Sequence, residues 1–178
     1  MKFLIKILLL STMGFAVPAT RAETGTQHEY ELKAGVLYHI IEYVDWPASA
    51  FSNQPPTIQI GLLGDLPFAN ALEVLNGKSL QGRKLVVKRL SNIREATQCQ
   101  VVFISSSEKP RVEEIIQELK NQPVLTVSEV EGFAERGGMV NLVAGQNRII
   151  LEVNRAVAGQ SRLSISSQLL KVAKVFPR

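Results

Sequence analysis

The sequence predicts an α/β protein: a single three-layer domain with a mainly parallel sheet, helices on both faces and a C-terminal antiparallel hairpin. Three observations carry this. Short apolar strand patterns alternate with helical patterns through the middle of the chain, the order that builds parallel sheets. Residues 101–104 are apolar without alternation, as a strand covered on both faces must be. Residues 139–143 and 149–153 are apolar runs joined by five residues, Ala144 to Arg148, a hairpin spacing.

The 178 residues open on a leader. Lys2 and Lys6 give a positive start, an apolar run follows to Val17, and Pro18 breaks it before Thr20-Arg21-Ala22. That is the three-part pattern of a secretory signal peptide, too short to span a bilayer of about 30 Å. Residues 1–22 are therefore expected to be removed, and residues 23–178 to form one exported domain. No Cys follows the cleavage point, so a lipid anchor is not expected.

Export changes how the charge reads. The formal net charge is +4, with 20 basic and 16 acidic residues. The leader takes Lys2, Lys6 and Arg21 with it and no acid, which leaves seventeen basic groups against sixteen acidic. A near-neutral chain has no electrostatic reason to seek phosphate, so nucleic acid is not an expected partner. The apolar share of 46% is enough for a core without a disulfide scaffold, and the lone Cys99 could not build one internally. Lying just before an apolar strand, Cys99 is expected to be buried and inert.

Each element follows from its own pattern. Leu32, Val36, Ile40 and Val44, with Leu37 and Ile41, mark one apolar helix face after a polar lead from Thr24 to Glu29. Asp45-Trp46-Pro47 stops that helix, because the residue before proline is pushed out of helical geometry. Residues 49–56 read as loop and 58–63 as a strand, with Gly64-Asp65 as its turn. Pro67 suits a helix start, with Phe68, Ala71, Leu72 and Leu75 on one face and Asn76-Gly77 as the stop. A second strand covers 85–87, a weak helical turn 92–97, and the third strand 101–104. Ser105 to Ser107 can cap a helix opening at Pro110, whose apolar face is Val112, Ile115, Ile116 and Leu119. A fourth strand at 124–127 and the hairpin follow. A last helix, capped near Ser166-Ser167, carries Leu169, Leu170, Ala173 and Val175.

Motifs for catalysis are sparse. Gly61-Leu62-Leu63-Gly64-Asp65 lacks the spacing of a dinucleotide or phosphate loop, and no Ser has the glycines of a nucleophile elbow. His39 and Glu42 share a helix at i and i+3, but two His and one Cys in the whole chain do not make a zinc site. No cofactor or metal is expected, and no enzymatic activity.

Three places are candidates for recognition. Trp46, the only Trp, either fills the core or contacts a partner. Residues 131–138, with Gly132, Gly137 and Gly138 around Phe133, Glu135 and Arg136, are either a tight connection or a binding loop. Asn154-Arg155 either displays polar groups at a strand end or caps the next helix.

Several blocks, taken in order, resemble one known family. They are Lys33-Ala34-Gly35-Val36-Leu37-Tyr38 running into Tyr43-Val44-Asp45-Trp46-Pro47, then 63–68 and 99–104. Leu125-Thr126-Val127-Ser128 leads to 132–142, followed by Leu151-Glu152-Val153-Asn154 and 165–170. Behind a signal peptide, this set resembles the YfiR-like family, or DUF4154 domain, from Lys33 to about Val175. The resemblance implies a dimeric periplasmic repressor that binds the periplasmic sensing region of an inner-membrane diguanylate cyclase and holds it inactive. Cyclic di-GMP and biofilm formation would be under its control. It also implies a second Cys in many relatives where Gly61 stands, bridging to the place of Cys99; this chain lacks it. Trp46, Phe133, Glu135 and Arg136 are the expected partner-binding or ligand-binding residues. Two other readings stay open: a small-molecule-sensing module acting on another membrane partner, with its pocket at the strand ends, and a periplasmic enzyme.

Overall fold

A computed structural model describes residues 20–51, 57–66, 69–146 and 148–176. The expected leader lies outside these residues except for its last three, and Pro67 and Phe68 also lie outside them. The elements in chain order are α1 (Thr20–Glu42), β1 (Val44–Asp45), β2 (Thr57–Leu63), α2 (Ala69–Glu73), β3 (Ser79–Leu80) and β4 (Arg83–Leu90). Then come β5 (Val101–Ile104), α3 (Val112–Glu118), β6 (Leu125–Ser128), β7 (Val140–Gly145) and β8 (Arg148–Asn154). The chain closes with α4 (Arg155–Gln160), β9 (Ser164–Ile165), α5 (Ser167–Val172) and β10 (Lys174–Phe176).

Eight strands form one sheet in the order β10-β8-β7-β6-β5-β2-β4-β3. The pairs β4–β2, β2–β5, β5–β6 and β6–β7 are parallel, and β7–β8 is the expected antiparallel hairpin. Two apolar clusters cover the two faces. One joins Tyr30, Leu37, Ile40 and Ile41 of α1 to Ile58, Ile60, Phe103, Val127 and Val153. The other joins Val112 and Ile115 of α3 to Val102, Ile104, Val130 and Phe133. Alternation within the strands separates them, since successive side chains point to opposite faces. Val101 and Phe103 belong to the first cluster, and Val102 and Ile104 to the second.

The structure departs from the sequence expectation at several boundaries. Helix α1 begins at Thr20 and runs through the polar lead, because only a buried face leaves an apolar signature. Its buried face is Tyr30, Lys33, Ala34, Leu37, Ile40 and Ile41; Leu32 and Val36 lie half-buried on the flank, and Val44 belongs to β1. Helix α2 ends at Glu73 rather than Leu75. Val175 is not on the last helix: Ala173 is extended at φ −103, and β10 pairs in parallel with β8. The hairpin is therefore internal to the sheet, with three-residue β10 at one edge and two-residue β3 at the other. Such short edges offer little template for uncontrolled strand pairing.

Candidate functional site

The four recognition candidates do not form one patch. Trp46 is half-buried, packs against the α1-side cluster, and donates its Nε1–H to the Gln100 carbonyl at 3.1 Å. Gln100 stands just before β5 and is itself buried. Its Nε2 donates to the Ala50 carbonyl at 2.6 Å and its Oε1 accepts from the Gln59 amide at 2.8 Å. Trp46 thus ties the 46–51 segment to the strand starts, which is a packing role. Phe133 is fully buried in the other cluster, so it is corrected from a contact residue to a core residue.

Glu135 and Arg136 are exposed. Both are carried on the loop that Phe133 anchors. Gly132 at φ +72 and Gly137 at φ +103 adopt left-handed backbone that other residues resist. Gly138 meets a different demand, since a Cβ there would lie 2.1 Å from Cε1 of Phe133. Asn154 fastens the loop from beneath, donating Nδ2 to the Ala134 carbonyl at 2.9 Å while its Oδ1 caps α4 through the Val157 amide at 3.1 Å. Capping is therefore the role of Asn154. We expect Gly138→Ala to lower stability by about 1–3 kcal/mol through overpacking against Phe133. Thermal unfolding monitored by circular dichroism checks this; an unchanged midpoint would show that Phe133 has room to move.

Charge on the loop is organised. Arg136 donates from Nε to Oε1 of Glu113 on α3 at 2.9 Å, and that hydrogen bond holds the Glu113 carboxyl below its usual range. Glu135 lies 4.0 Å from the Lys174 ammonium. Lys174 also donates to Glu152 at 2.8 Å, and Glu152 accepts from Asn141 Nδ2 at 3.2 Å. Asn141, Glu152 and Lys174 are register partners on β7, β8 and β10, so the three strands carry one polar row. Asn141 is fully buried, and its Oδ1 has no hydrogen-bond partner among the described residues. The sequence signal for this row was present as polar residues alternating inside two strands, Val140-Asn141-Leu142 and Leu151-Glu152-Val153.

A second polar cluster sits at the strand ends. Lys33 is 3% exposed on the buried face of α1. Its ammonium meets Glu129 at 2.6 Å and Glu29 at 2.5 Å. Glu129 follows β6 and also accepts from the Tyr30 hydroxyl and the Ser106 amide, each at 2.9 Å. Burial alone would push the Glu129 carboxyl up. The hydrogen bonds from Lys33 and Ser106, the Lys33 charge and the Tyr30 hydroxyl more than offset it, and the carboxyl lies below its usual range. Tyr30 is pushed up, first by burial and then by the Glu129 charge. Next to this cluster, Ser105 donates to the Asp65 carbonyl at 2.5 Å and accepts from the Ser107 amide at 3.2 Å. It caps the 3-10 turn Ser106–Arg111, which contains Pro110, whereas α3 opens at Val112 without a side-chain cap rather than at Pro110. The cluster joins α1 to the ends of β5 and β6.

Cys99 is buried, and burial raises its thiol above the usual range. Among the described residues, no group of three or more His, Cys, Asp and Glu could hold a metal.

Comparison with known proteins bears on what these surfaces serve. The DUF4154 family model, described as YfiR/HmsC-like, matches residues 30–174. The chain belongs to this family. The family as a whole is periplasmic and regulatory, and is tied in general to diguanylate cyclase signalling. No helix among the described residues is long and apolar enough to cross a membrane. The fold also matches the crystal structure of a conserved domain protein from Vibrio cholerae O1 biovar eltor, with a TM-score of 0.52 and 16% identity. The match covers 82% of this chain and 59% of that one, so this chain spans somewhat over half of that protein's length. This likeness supports the three-layer α/β architecture.

Proposed function

We propose that the chain holds an inner-membrane diguanylate cyclase inactive by binding its periplasmic sensing region. The observation that carries this reading is the construction of the 131–138 loop. A fully buried Phe133 and a capping Asn154 hold its backbone, while Glu135 lies exposed near Lys174 and Arg136 pairs with Glu113 of α3. A rigid loop with a charged exterior loses little entropy on docking, and its charges select the partner and its register.

Inhibition of this kind needs no chemistry. A binder that prefers one of two sensor conformations shifts their equilibrium by its differential affinity and by no more. At a free concentration of about 100 times its dissociation constant, it favours the bound state by about 2.7 kcal/mol. Titration of the purified chain against the isolated periplasmic region of the cyclase tests the placement. We expect the double reversal Glu135→Arg with Arg136→Glu to weaken binding at least about tenfold, or 1.4 kcal/mol. Trp46→Ala should leave affinity within about threefold. Unchanged binding by the double reversal would remove the loop from the interface.

A further inference from the structure

We propose that the groove between α1 and α2 is a second docking site, and that it takes an amphipathic helix of a protein partner. It holds a cavity of about 660 Å³ and lies apart from the 131–138 loop. Its floor is Ala34, Gly35, Ala71 and Leu75, with Val74 as an apolar lip. Val74 is 59% exposed, so its apolar side chain is open to an occupant of the groove. Gly35 sits in mid-helix, where Ala is favoured, and a Cβ there would touch nothing within 4 Å. Small residues at these points let a second helix approach to the 8–10 Å of ordinary helix packing.

Charge sets what the occupant must carry. Glu31 marks one end of the groove, with Gln27 donating to it at 3.1 Å. Lys78 marks the other, its ammonium 5.6 Å from the centre of the Tyr38 ring. Glu31 and Tyr38 are seven residues apart on α1, about two turns or 10 Å. A helix lying along α1 therefore matches both ends if it bears a basic and an acidic residue seven positions apart, beside an apolar stripe. That is the helix-in-groove mode of recognition, with charges added at both ends of the stripe. The inference goes beyond the proposed cyclase binding and holds whether or not the helix belongs to that partner.

The test uses a synthetic 14-residue helical peptide with a Leu/Ala stripe and one Lys and one Glu seven apart, titrated into the isotope-labelled full domain. We expect saturable amide shifts at Ala34, Gly35, Ala71 and Val74. Lys78→Glu should weaken binding at least tenfold, and replacing the peptide's Glu with Lys should restore it, which a merely structural role for Lys78 would not allow. Val74→Asp should abolish binding while the variant's circular dichroism stays native. Three results would overturn the proposal: no saturation below 1 mM, shifts centred elsewhere, or a dimer of the chain that Val74→Asp dissociates. In the last case the occupant is a second copy. None of these results touches cyclase binding at the loop, which is measured separately.

Discussion

Glu129→Gln is expected to destabilise the protein by about 3 kcal/mol, the lower end of what breaking a buried ion pair costs. The substitution keeps the volume and leaves the Lys33 ammonium, 3% exposed, with Glu29 as its remaining carboxylate. Glu29 is more exposed than Glu129, so it compensates only in part. For a domain of this size the loss corresponds to roughly 6–12 °C in melting temperature. The pH dependence has a definite sign. The folded-state carboxyl of Glu129 lies below its ordinary range, so its contribution is fully present above the unfolded value, about 4.3, and is lost as pH falls through the lower folded value. The wild-type stability should therefore drop below about pH 4.3, and Glu129→Gln should flatten that drop. Urea titrations at several pH values measure both quantities. Equal midpoints at neutral pH would mean that the α1–β6 junction is held by packing alone.

The second large effect runs in the opposite direction. Gly61→Cys is expected to form a disulfide with Cys99 under oxidising conditions, joining β2 to the start of β5. A Cβ built on Gly61 lies 3.0 Å from Cys99 Sγ, so the two residues are already within bridging reach. The closed loop of roughly forty residues implies about 3–4 kcal/mol of stabilisation in the chain-entropy account. Part of it is offset, because Leu90 Cδ1 lies 2.6 Å from the same Cβ and must turn aside. The gain should vanish with reductant. Comparing unfolding midpoints with and without dithiothreitol, together with a thiol count, decides the matter. Two free thiols after oxidative refolding would show that Leu90 blocks the bridge. This is the position where the resemblance to the YfiR-like family places a second cysteine; Cys99 is within reach of it, while Leu90 fills part of the space the new side chain needs.

The parallel sheet was legible because its strands announce themselves locally. Val101 to Ile104 is apolar on both faces, and the turns at Gly64 and Gly77 both adopt positive φ. The hairpin was legible for the same reason. The edge strand β10 was not, since Lys174-Val175-Phe176 has too few residues to show a period and follows helix α5 directly. Site residues divided along a similar line. The exposure of Glu135 and Arg136 could be read from their setting among glycines. Phe133 could not be sorted, because the same glycines serve a buried ring as well as a binding loop. Lys33 was missed because a charge on an apolar helix face reads as a flank residue until its partner is known. That partner, Glu129, lies 96 positions away in the chain.

Cyclic di-GMP synthesis by a membrane-embedded diguanylate cyclase, with purified residues 23–178 added on the periplasmic side of reconstituted vesicles, tests the central claim most directly. The account predicts that synthesis falls as the chain is titrated in, saturates at a fixed stoichiometry, and resists inhibition by the Glu135→Arg, Arg136→Glu protein. Synthesis that stays constant at saturating concentrations of a folded chain would contradict it.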